Sequence, residues 1–350
     1  MKKVVVLLLA LSMTLALVAC GGTPAASTTK TAESSNPSPA ASSTASSAAD
    51  AFPKGPITLT VLSAAGGSYD TGVRMLLPYV EKELGTTINV VNNDAGNGWV
   101  NWLGCYEAKP DGYNLYTTNF PAFFSCYDPE MKHTQRWDDF AYICNFCTDT
   151  NILITRKGFE VNTVEKFLDY CLNNKDVVIA VTVTGGDDHI AYLKMLDAIP
   201  ELAEHTTPMH ANSNLTQELL GGFVDFMVCN VGNLATLGDN VEPICALGPD
   251  RDALAPDIPT FNEECAKLGY KDVNVAGATN RGLIMPKDVP EDIQKKIVDA
   301  FVKGMNNPQC KQDFLNNYMG WNCVSGDEYI ELIKREDAFY QSTIMPLLGW

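Results

Sequence analysis

The feature that most constrains this chain is a rhythm that occurs twice: an apolar strand, a Gly-rich turn, and then an amphipathic helix. In the first copy, residues 57–63 alternate apolar residues with Thr and then turn almost wholly apolar, which predicts a strand. Gly66-Gly67 breaks it, and Asp70 opens a helix. Val73, Leu76, Leu77, Val80 and Leu84 fall on one helical stripe, and Gly85 supplies a stop. Residues 88–92 predict a second strand, 93–98 a loop, 99–107 a helix and 113–118 a third strand after the turn Pro110-Asp111-Gly112. The second copy opens after Arg156, with a helix over 163–173, a strand over 177–183, the turn Thr184-Gly185-Gly186 and a helix from about Asp188. Strands at 207–210, 223–228 and 244–247 and a helix at 215–220 follow, and 291–306, 309–317 and 327–340 read as helices. This succession predicts two α/β lobes, each with a parallel doubly wound sheet. In such sheets ligands sit at the carboxyl ends of the strands, over helix N-termini, so two facing lobes make a cleft.

The start of the chain reads as an address. Lys2 and Lys3 precede an apolar run over 4–18, too short for a comfortable membrane span and suited to a signal-peptide core. Leu17-Val18-Ala19-Cys20 followed by Gly21-Gly22 resembles a bacterial lipobox. The expectation is that 1–19 is removed and that Cys20 is lipidated; an ordinary secretory signal with a chance Cys is the alternative. Residues 20–52, after that Cys nearly all Ser, Thr, Ala and Pro, predict a disordered tether. This places the body at the extracytoplasmic face of the cell membrane and excludes cytoplasmic metabolism. No later segment reaches 18 apolar residues.

Charge and motifs exclude other functions. A net charge of -17 repels phosphate backbones, so a nucleic-acid binder is excluded. The 350 residues, 46% of them hydrophobic, can bury a core without disulfide staples. Cys144-Asn145-Phe146-Cys147 is a single CxxC, readable as a redox pair or as core thiols, and no second motif completes a metal site. The four His form no metal-binding spacing, and no nucleophile elbow or phosphate loop occurs, so neither metal nor cofactor is expected. A thiol hydrolase using a Cys and His189 would be the enzymatic alternative, without a recognisable signature.

Five segments in order resemble the substrate-binding proteins of tripartite tricarboxylate transporters, the Bug-type extracytoplasmic receptors. The segment from Ala65 to Arg74 resembles their first-loop pattern A-x-G-G-x-x-D-x-x-x-R. Pro110-Asp111-Gly112-Tyr113-Asn114-Leu115, Leu219-Leu220-Gly221-Gly222-Phe223-Val224-Asp225 and Leu254-Ala255-Pro256-Asp257-Ile258-Pro259-Thr260 resemble three further patterns, and 282–290 the final strand and Pro-led helix. The resemblance implies a two-lobe periplasmic-binding-protein-like fold (type II), with lobe I over 53–156 plus 277–350 and lobe II over 157–276. It implies a monomeric, non-enzymatic receptor that hands a small carboxylate or amino-acid-like ligand to membrane permease subunits. Presentation to a membrane sensor kinase is the alternative. Ligand contacts carried over by motif position are Gly66, Gly67, Ser68, Thr118 and Asn119 in the first lobe, and Gly185, Gly186, Asp187 and Asn230 in the second.

Tyr69, Asp70 and His189 join these candidates, each with a plainer reading. Asp70 would cap its helix through the N–H of Gly72 or Val73, Arg74 would pair with a carboxylate, and His189 would sit on the cleft rim. The chain also departs from the pattern. Asp187 and Asp188 stand where the family usually carries hydroxyl residues, Asp94 stands for an Arg, and Tyr69 and Trp99 replace small residues. The expectation is a ligand with one carboxylate at most, plus an amine, an aromatic ring or another neutral body. The alternative is that Asp187 and Asp188 cap the helix and point away.

Overall fold

The computed structural model describes residues 52–182, 184–210 and 215–350. The expected signal segment, Cys20 and the tether up to residue 51 lie outside them, as does Val183 at the end of the strand expected over 177–183. Among the described residues the strands are β1 (Ile57–Val61), β2 (Ile88–Asn92), β3 (Asn114–Phe120), β4 (Phe140–Arg156), β5 (Val177–Val181), β6 (Thr206–His210), β7 (Phe226–Asn230), β8 (Val241–Ala246), β9 (Ala278–Pro286) and β10 (Trp321–Val324). The helices before β8 are α1 (Ser68–Leu84), α2 (Trp99–Glu107), α3 (Val164–Asn173), α4 (Asp187–Ala198), α5 (Leu215–Gly221) and α6 (Leu234–Leu237). After it come α7 (Phe261–Lys267), α8 (Glu291–Met305), α9 (Pro308–Asn316), α10 (Gly326–Phe339) and α11 (Met345–Leu348).

The strands run in the order β2-β1-β3-β9-β4-β7-β5-β6, with β8 and β10 both paired to β4. The expectation of parallel sheets holds only at the two ends. β1 is parallel to β2 and β3, and β5 to β6 and β7, as their helical crossovers require. The middle is antiparallel: β9 against β3 and β4, and β7 and β8 against β4. Two long strands therefore cross from one half to the other. Since β3 and β4 both oppose β9, they run the same way, whereas β7 opposes β4. The carboxyl ends of β1 to β3 thus point toward those of β5 to β7.

Each half buries its own stripe. Val73, Leu76, Leu77, Val80 and Leu84 of α1 are buried with Ile57, Leu59 and Val61 of β1 and Ile297 and Phe301 of α8. At about 1.5–3 kcal/mol per fully buried side chain, this stripe anchors the helix. Gly85 ends α1 with φ 70°, its N–H donating to the Glu81 carbonyl at 2.8 Å. On the other side Phe167 of α3 packs on Phe226 of β7, ring centroids 4.9 Å apart. β7 starts three residues later than expected. Gly222 turns the chain at φ 75°, Phe223 stays 75% exposed, and the Asp225 carboxylate accepts the Val178 N–H at 3.0 Å before pairing begins.

Cys105, Cys126, Cys144, Cys147, Cys171, Cys229, Cys245, Cys265 and Cys310 are free and buried, and Cys323 is free and half-buried. Cys144 and Cys147 both lie inside β4, as core thiols and not as a bonded pair. Among the described residues, no helix is long and apolar enough to cross a membrane.

Candidate functional site

The two Gly-rich turns are built alike. Gly66 and Gly185 adopt φ of 80° and 76°, conformations that favour glycine. Each precedes an extended N-cap glycine, Gly67 at φ -67°, ψ 166° and Gly186 at φ -71°, ψ 166°. In each turn the first glycine N–H donates to a side chain four residues on. Gly66 reaches Asp70 Oδ2 at 2.8 Å, and Gly185 reaches His189 Nδ1 at 3.1 Å. One lobe thus fastens its turn with a carboxylate and the other with an imidazole.

Asp70 is therefore not the N-cap expected to bond Gly72 or Val73. α1 begins at Ser68, so Asp70 is its third residue, and its side chain leans back toward the turn. Arg74 Nε bonds both of its oxygens at 2.9 Å, and Asn92 Nδ2 adds a bond at 2.9 Å. The Arg74 contact, then the Gly66 and Asn92 bonds, hold the Asp70 carboxyl down at about 2 despite burial. His189 is pulled the other way. Burial, and then the His210 ring set edge-on with its centroid 4.5 Å away, lowers it to about 4. At neutral pH it is an uncharged imidazole whose Nδ1 accepts, so its proton sits on Nε2.

Three of the four glycine amides expected to hold an anion are already engaged, Gly66 with Asp70, Gly185 with His189 and Gly67 with the Ala64 carbonyl at 3.0 Å. Among the described residues, the N–H groups of Ser68 and Tyr69 in α1 and Asp187 in α4 have no acceptor. These are the first-turn donors that a helix leaves unmet.

The two acidic residues of α4 part company. Asp188 turns back and accepts the Thr182 N–H at 2.6 Å, the Thr182 hydroxyl at 2.7 Å and the His189 N–H at 2.8 Å. Burial, then the neighbouring Asp187 charge, raise its pKa against those bonds. Buried as it is, Asp188 adds nothing to the cleft mouth, contrary to the expectation that both acids face it. Asp187 reaches inward instead. Its Oδ2 accepts Asn151 Nδ2 at 2.8 Å, Asn230 Nδ2 at 3.1 Å and the Thr279 hydroxyl.

Those partners lie on or beside the crossing strands. The register sets Cys147 opposite Arg281 and Asp149 opposite Thr279, so these four side chains share one face. Arg281 is 4% exposed, is ion-paired with Asp149, and stands 4.8 Å over the Tyr69 ring. Tyr69 in turn donates its hydroxyl to the Thr118 carbonyl at 3.1 Å, so its cation-attracting face is taken from within. Asp149 also receives the Gly320 N–H at 3.1 Å. Arg281 Nε and Nη1 are buried without a partner, as is Asn119 Oδ1.

The opposite face of the crossing strands, with Thr148, Thr150 and Asn280, opens on a cavity of about 600 Å³ that Asp187 and Lys194 also line. A second cavity, of about 480 Å³, lies against Gly185, Gly186 and Trp99. Trp99 stacks on His133 with ring centroids 3.5 Å apart.

Tyr69, Thr118, Asp187 and Asn230 are thus gathered around Arg281 and Thr279. Ser68 is exposed beside them, while Asp70 and His189 act as latches within their own turns. Sequence reasoning passed over Asp149, Asn151, Thr279 and Arg281. The available signal was an Arg directly before the apolar run 282–286.

A family model described as the tripartite tricarboxylate transporter family receptor matches residues 73–345. A UPF0065 protein of Cupriavidus necator is 26% identical over 307 residues, 84% of this chain and 89% of its own. The solved structure of a TctC solute-binding protein from Polaromonas superposes with a TM-score of 0.68 at 22% identity, covering 84% of this chain and 99% of that one. A protein from Rhodopseudomonas palustris solved with bound malate gives a TM-score of 0.68 at 21% identity, covering 84% and 100%. These likenesses establish the two-lobe α/β fold.

Proposed function

Because the chain belongs to the receptor family of the tripartite tricarboxylate transporters, we propose that it captures a small organic acid or amino-acid-like molecule between its lobes and hands it to a membrane permease. The observation that carries this reading is the meeting of two helix N-termini at the crossing strands. α1 arrives through Tyr69 beneath Arg281, and α4 through Asp187 on Thr279. The first-turn N–H groups of both helices offer an anion unmet donors and positive dipole. A protein of the same fold holds malate, which supports a carboxylate here.

Asp187 limits how much negative charge the site accepts. A second carboxylate brought within about 4 Å of it would cost about 4 kcal/mol at an effective dielectric near 20. A ligand with one carboxylate and an amine or neutral body follows. Lobe I over 53–156 plus 277–350 and lobe II over 157–276 would close on it about β4 and β9. The contacts comprise Ser68, Tyr69, Thr118 and Asn119 on one side and Gly186, Asp187 and Asn230 on the other, with Gly66, Gly67 and Asp70, and Gly185 and His189, holding the two turns in shape behind them. Lipidated Cys20 and the tether hold the monomeric receptor at the outer face of the membrane.

Mass spectrometry of the small molecules that co-purify with the protein identifies the ligand. At about 100 times its Kd, that ligand adds about 2.7 kcal/mol and raises the melting temperature by several degrees. X-ray scattering then detects compaction as the lobes close. A tight ligand that leaves the scattering unchanged would sink the cleft reading, and turnover of it would sink the receptor reading.

A further inference from the structure

Resting on the receptor reading of this cleft and sharpening it, we propose that the ligand is a zwitterion of the amino-acid class, its carboxylate received by Arg281 and its ammonium by Asp187. Arg281 is a buried cation with one counterion. Asp149 takes only Nη2 and shares its other oxygen with the Gly320 N–H. Nε and Nη1 point at no acceptor, although protein interiors rarely leave buried donors unmet. A guanidinium kept only for structure would have its remaining donors met by carbonyls, as Arg136 Nη1 has with the His133 and Gln135 carbonyls. The Tyr69 ring covers one face of the guanidinium, which leaves its donor edge for a carboxylate oxygen.

The second half of the ligand is set by Asp187. All three of its hydrogen bonds go to Oδ2, and Oδ1 has no partner among the described residues. The two charges are held in fixed relation. Thr279, which bonds Asp187, lies two residues from Arg281 on the same face of β9, roughly 7 Å along the strand. A molecule carrying carboxylate and ammonium on neighbouring atoms spans that interval with one hydrogen bond at each end. A plain dicarboxylate satisfies Arg281 and meets repulsion at Asp187, and an amine without a carboxylate does the reverse.

The test is calorimetry on the full folded chain with the twenty protein amino acids, their carboxamides, their deaminated acids, and succinate and citrate. One amino acid should bind, and its carboxamide and deaminated acid should each bind about 30-fold more weakly. Arg281→Met leaves Asp149 unpaired and threatens folding, so the informative variant is Arg281→Met with Asp149→Asn, its fold checked by circular dichroism. It should lose about 30-fold in affinity, and Asp187→Asn should narrow the preference for the amino acid over its deaminated acid. If a deaminated acid, succinate or citrate binds best, or the double variant binds within threefold of wild type, the assignment falls while the receptor reading stands. If no acid and no amino acid binds, the receptor reading itself falls and takes this inference with it.

Discussion

Removing the Asp149 side chain should be among the most costly single changes in the molecule. Asp149 and Arg281 are each about 4% exposed, and they are each other's ion-pair partner. Asp149→Ala leaves the guanidinium buried without its counterion, a situation that costs about 3–5 kcal/mol, and deprives the Gly320 N–H of its acceptor as well. Against a typical total of about 5–15 kcal/mol, that is a large share of the stability. Urea unfolding should show a lower midpoint with an unchanged slope, and the melting temperature should fall by roughly 6–15 °C. Removing both partners is different in kind. Arg281→Met with Asp149→Asn leaves no buried charge and keeps an acceptor for Gly320, so it should recover most of the loss. If Asp149→Ala costs less than about 1 kcal/mol, the guanidinium is reaching water and the argument from a dry ion pair is wrong.

Three further outcomes are expected. Cys20→Ala should release the protein from the membrane fraction or leave an unprocessed precursor, and unchanged processing and retention would refute the anchor. His189 has a folded pKa of about 4 against an ordinary value of 6.5, so the unfolded chain binds the proton more readily; stability is kept above about pH 6.5 and declines toward pH 4, by up to about 3 kcal/mol. The raised pKa of Asp188 acts with the opposite sign, losing stability as pH rises, so the measurement is the difference in denaturation between wild type and His189→Gln at pH 7 and pH 4.5; equal pH slopes would refute the latch. In a thermal-shift screen, citrate should give a smaller shift than monocarboxylates, and a largest shift from citrate that Asp187→Ser leaves unaltered would overturn the charge argument.

Much of the fold was legible because its helices carry one-sided stripes and its turns carry glycines. α2 matches its expected limits, and α1 and α8 differ from theirs only at an end, since caps and apolar spacing leave little freedom. β4 escaped because it has no alternation to read: five successive residues from Ile143 to Cys147 are buried as it passes between layers. α7 was overlooked although Thr260 and Glu263 form a reciprocal capping box at its start, a signal present in the sequence. At the site, the resemblance located both Gly-rich turns but not what fastens them. That a carboxylate and an imidazole four residues on would hold the glycine amides depends on side-chain direction in the first helical turn. Arg281 and Asp149 are 132 residues apart and meet only through the register of two long strands.

The buried thiols bear on how the chain must reach this state. Burial raises the pKa of every one of these cysteines, Cys126, Cys171 and Cys310 to about 12, so at neutral pH they stay protonated and unreactive once the chain has folded. Protection belongs to the folded form alone. In an oxidising compartment, an extended chain would expose all of them at ordinary acidity. Neighbours such as Cys245 and Cys265, which sense each other's charge, are the pairs brought together as structure forms. Maturation is then a race between sequestration and oxidation, and a chain that lingers unfolded acquires crosslinks with no place in the native packing. Alkylation by a maleimide, added during refolding of the denatured chain and again after it, would time that race residue by residue.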